Sequence, residues 1–77
     1  MTTNVADVLV HIDETLPPDQ LRTLENHLFK MGGVLSATNR DDRPNLIQVT
    51  YDSGKVQAHD ILVKIESEGV HGELVGL

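Results

Sequence analysis

From Val5 to Asp13 the chain alternates, with Val8, Val10 and Ile12 on one side and Asp7, Leu9, His11 and Asp13 on the other. That is the period of a strand with one face in a core. Pro17 and Pro18 end the alternation but suit the first turn of a helix, where a missing N–H leaves no hydrogen bond unmade. Asp19 adds negative charge at the positive end of the helix dipole. Beyond it Leu21, Leu24, Leu28 and Met31 recur at intervals of three and four, one apolar stripe on a helix, with Phe29 off the stripe. Gly32-Gly33 closes this helix, because one of the two can take the positive φ of a C-terminal cap.

The second half repeats the scheme. VLSATNR (34–40) reads as a weaker strand, RDDRPN (40–45) as a polar turn, and LIQVTYD (46–52) as the clearest strand in the chain. In that strand Ile47, Val49 and Tyr51 oppose Leu46, Gln48 and Thr50. SGK (53–55) turns the chain, Ile61, Leu62 and Ile65 mark a second amphipathic helix over 57–68 closed by Gly69, and VHGELVG (70–76) supplies a last short strand. The order strand, helix, strand, strand, helix, strand predicts an α+β fold, the ferredoxin-like βαββαβ plait. Its four-stranded antiparallel sheet places the first and third strands in the centre and both helices on one face. The other face is left open.

Composition narrows what such a scaffold can do. A chain of 77 residues is expected to form one domain over 1–77, and at this size it buries only about 60% of its unfolded surface, too little for a large enclosed substrate cavity. The absence of cysteine removes disulfides, thiolate metal sites and thiol nucleophiles together. A formal charge of −6, six scattered basic residues, one Tyr and one Phe argue against a nucleic-acid partner, which needs cations for phosphates and rings for bases. No apolar run is long enough for a bilayer, and MTTNVADVLV lacks both a basic start and a small-residue cleavage site. No membrane insertion is expected, and the chain reads as cytoplasmic.

Three stretches carry a family resemblance. LENHLFKMGGV (24–34) is similar to a helix end before a Gly-Val pair, VTYDSGKV (49–56) to a third strand and turn, and DILVKIESEGV (60–70) to a second helix. In this the chain resembles the heavy-metal-associated domain of copper chaperones, metal-pump N-terminal domains and mercury-binding proteins, over residues 8 to about 75. The family's metal loop, Met-x-Cys-x-x-Cys, would fall on Thr15 to Gln20, its two cysteines on Pro17 and Gln20. Proline has no donor atom and glutamine only a neutral hard oxygen, so the loop is degenerate as a site for Cu(I) or Zn(II). Methionine does not compensate, since Met31 lies about 20 Å from the loop along the helix and Met1 precedes a strand that starts at the same distant end.

The inferred topology gathers the loop 13–17, the turn 41–44 and the junction 68–71 at one end, with His27 and His59 toward the other. His11 and His71 are then expected to face each other across the first and fourth strands on the open side. Asp13 and Glu73 share their faces, so a divalent Zn, Cu or Ni ion is the candidate ligand for His11, His71, Glu73 and Asp13. No other cofactor is implied. The paired acids Asp13-Glu14 and Asp41-Asp42 fall at turns, which are wet, whereas acid–base catalysis needs a sheltered carboxylate. No catalytic residue is expected.

Alternation also points Val5, Leu9, Val75 and Leu77 away from the helices, clustered at one end of the first and fourth strands, and Phe29 off its helix stripe. These five form the candidate contact surface. The expected function is a non-enzymatic module acting through a protein partner or a homodimer. The alternative is metal binding or transport through histidine, carboxylate or partner-supplied ligands.

Overall fold

The computed structural model describes residues 4–40 and 43–75. Its elements follow the expected order: β1 (Val5–Ile12), α1 (Pro18–Phe29), β2 (Val34–Arg40), β3 (Arg43–Asp52), α2 (Ala58–Ser67) and β4 (Gly72–Val75). The strands form one antiparallel sheet in the order β2-β3-β1-β4, the plait arrangement. Alternation decides the layers. Val8, Val10 and Ile12 of β1 and Ile47, Val49 and Tyr51 of β3 are buried in one cluster with Leu21, Leu24 and Leu28 of α1 and Ile61 and Ile65 of α2. Among the described residues no polar or charged side chain is buried, so the core is held by apolar burial alone.

Local chemistry sets the helix ends. Pro17 caps α1 in an extended conformation with Pro18 as its first residue. Gly33 (φ +96°) and Gly69 (φ +90°) carry the chain out of α1 and α2 through the left-handed region.

Two boundaries differ from the pattern. β2 and β3 continue until Arg40 pairs with Arg43, inside the segment read as a turn over 40–45; Asp41 and Asp42 lie outside the described residues. Pro44 is tolerated because it precedes Leu46, the first β3 residue paired with β1, and the β2–β3 register shifts at Asn39/Arg40. β4 starts two residues later than expected. Val70 turns into the core and His71 is engaged elsewhere, so laddering begins only where Gly72 pairs with Ile12. Among the described residues no helix is long and apolar enough to cross a membrane.

Candidate metal centre

Beyond Ile12 the chain leaves the sheet and crosses to α1, and side chains on both flanks hold it there. Asn45, at the start of β3, donates from Nδ2 to the carbonyls of Ile12 (2.7 Å) and Glu14 (3.1 Å). The Asp13 N–H donates to the His71 carbonyl at 2.8 Å. Glu14 returns the contact with both oxygens, accepting the His71 backbone N–H at 2.8 Å and meeting its ring Nδ1 at 2.5 Å. These bonds bring the loop, the start of β3 and the α2–β4 junction to one end of the molecule, as the topology implied. The side-chain hydrogen bond to His71, then the one from its backbone, hold the Glu14 carboxyl below its ordinary range. The reciprocal hydrogen bond and the negative charge of Glu14 raise His71.

Next to this staple, on the open side of the sheet, three donor groups converge. His11 and Glu73 are direct partners in the β1–β4 ladder, and Asp13 follows His11 by two residues. One ligand atom from each of His11, Asp13 and Glu73 lies within 4.8 Å of the others. His11 Nδ1 is 3.5 Å from Asp13 Oδ1, too long for a hydrogen bond. That nitrogen is shielded from solvent and has no partner among the described residues, a state a folded protein ordinarily avoids. Two carboxylates held this close also repel each other until a cation sits between them.

The other candidates fall elsewhere. His71 does not face His11, because Glu73 takes that ladder position and the His71 ring turns to Glu14. His27 does not stay at the far end. Helical side chains lean toward the helix N-terminus, and its Nδ1 meets Glu68 Oε1 at 2.7 Å. His59 is exposed in the first turn of α2. Pro17 and Gln20 are exposed at the start of α1. Leu9 pairs directly with Val75 on the open face, but Val5 stands four residues back along β1 with Asp7 between, so the expected apolar group is interrupted. Leu77 lies outside the described residues. Phe29 is 58% exposed. Glu14 and Asn45, which build the loop, show in the sequence only as one of a pair of turn acids and as part of a polar turn; nothing but position, beside Asp13 and next to a turn proline, signals this role.

No protein-family model matches the chain, and no curated protein matches it in sequence. Among solved structures it is similar to a copper-binding domain from HMA7, a P-type ATPase, with a TM-score of 0.82 and 23% identity over 91% of this chain and 93% of that one. It is similar also to the yeast copper transporter domain CCC2A, solved in apo and Cu(I)-loaded states, with a TM-score of 0.78 and 26% identity over 90% and 93%. Oxidized MerP from Ralstonia metallidurans CH34 aligns with a TM-score of 0.80 and 14% identity over 91% and 96%. The chain thus shares the fold of heavy-metal-associated domains and carries no cysteine. At the β1–α1 loop the residues do not fit a soft ion: Pro17 is a helix cap without a donor atom, and Gln20 offers a neutral amide.

Proposed function

We propose that this chain is a non-enzymatic metal-binding module whose ion sits at His11, Asp13 and Glu73, on the rim of the open sheet face, instead of in the β1–α1 loop. The observation that carries the reading is the unpartnered His11 Nδ1 with two carboxylates converging on it. One imidazole nitrogen and two carboxylate oxygens suit a borderline divalent ion, Zn(II), Ni(II) or Cu(II), better than Cu(I). Ligands of a tetrahedral ion about 2.1 Å from the metal stand roughly 3.4 Å apart. The two exposed carboxylates therefore rotate inward on binding, and that ordering weakens affinity. Water or a partner's side chain completes the shell. Metal binding is also what the names of the similar copper domains state of those proteins.

Isothermal titration with Zn(II) and Ni(II) tests this. The wild type should bind one equivalent, His11→Ala should lose the heat of binding, and His59→Ala, at a histidine on α2, should not. Equal binding by all three would place the ion elsewhere. A second reading, contact with another protein, is favoured by the half-buried Leu9 and its exposed neighbour Val75 on the uncovered face. It is compatible with the first, because a partner on this face would stand beside the centre.

A further inference from the structure

The three donors come from three places: His11 from the end of β1, Asp13 from the loop, Glu73 from β4. His11 is fixed by its strand. The Asp13 carboxylate is exposed and makes no closer described contact than the 3.5 Å approach to His11, and Glu73 stands on a short edge strand that starts only at Gly72. The distance between the two carboxylates is therefore set by whatever joins the loop to the start of β4. Three bonds do so: Asp13 N–H to the His71 carbonyl, His71 N–H to Glu14 Oε1, and the His71 ring to Glu14 Oε2. Glu14 is the neighbour of Asp13 in sequence, and His71 precedes Glu73 by two residues.

We infer that Glu14 and His71 are a positioning pair for the metal centre, holding Asp13 and Glu73 in reach of one ion without ligating it. The inference rests on the metal reading above. An unstapled loop would have to be ordered at the moment of binding, and that cost is subtracted from affinity. Losing an outer partner of a metal site typically lowers affinity 10–100-fold. Glu14 acts through the backbone instead of bonding a ligand directly, so the low end, about tenfold, is expected.

The test is Zn(II) titration of the full chain at a temperature where amide spectra show each variant folded. Glu14→Ala should bind about tenfold more weakly than wild type. Glu14→Gln keeps an acceptor for the His71 N–H and should lose less. Glu68→Ala removes a similar His–Glu pair on the helical side, that of His27, and should leave affinity unchanged. A merely structural contribution would not separate Glu14 from Glu68 in this way. Wild-type affinity in Glu14→Ala overturns the inference while leaving the metal reading intact. Should Glu14→Ala not fold, Glu14→Gln decides, with wild-type affinity overturning and a measurable loss supporting. Absence of zinc binding by the wild type defeats the metal reading itself.

Discussion

Gly33 and Gly69 have nearly the same backbone angle, yet a side chain would meet different surroundings at each. A Cβ at Gly33 would stand 2.9 Å from the Cβ of Lys55, whereas nothing lies within 4 Å of one at Gly69. Gly69→Ala should therefore cost only the left-handed strain, about 1–2 kcal/mol. Gly33→Ala should cost more, because the turn after β3 must also shift. Urea unfolding of the two variants ranks them, and equal losses would contradict the account. Leu28 and Phe29 make a similar contrast. Leu28 is fully buried, and its truncation to Ala should cost about 2–5 kcal/mol, most of what a core this small supplies. Phe29→Ala should stay within about 0.5 kcal/mol, as an exposed residue does. A large loss at Phe29 in the same unfolding experiment would show that something covers it.

At the scale of elements, the staple between the loop and β4 gives a pH dependence. Glu14 is held below its ordinary 4.5, so its contribution is present above that value and is lost as pH falls through the lowered one. His71 is raised above its ordinary 6.5, so its contribution is complete below 6.5 and is lost as pH rises through the raised value. The pair is thus fully formed between about pH 4.5 and 6.5. Melting temperatures of wild type and Glu14→Gln should differ most inside that window and converge outside it, with a gap kept small by solvent exposure. A gap constant across pH would contradict the pairing. On α2, Asp60 accepts the Gln57 N–H at 3.0 Å, and Asp60→Ala should cost about 1 kcal/mol in thermal unfolding.

These elements show why sequence went as far as it did. Period-two alternation in β1 and β3 and the three–four spacing in α1 report which face is buried, and every residue assigned to those core faces is inside or packed against it. Register is different. Sliding β4 by two residues keeps every side chain on its face, so alternation cannot distinguish His71 from Glu73 as the partner of His11. The choice is made by the Asp13–His71 backbone bond and by both oxygens of Glu14, the latter 57 residues from His71 in sequence. The centre was thus legible as a neighbourhood, and its membership was not.

For the whole molecule, a scaffold shared with copper domains is combined with a donor set of imidazole and carboxylate and a formal charge of −6. Two copies carrying that charge repel at low ionic strength. Sedimentation without metal should show a monomer there, and a dimer would contradict the charge argument. The most direct test follows the ring signals of the four histidines by nitrogen-15 NMR while Zn(II) and then Cu(I) are added. The account predicts a stoichiometric response of His11 to zinc, none at His27 or His59, and no change in the amides of residues 15–20 with Cu(I). A silent His11, or tight Cu(I) capture around Pro17 and Gln20, would contradict it.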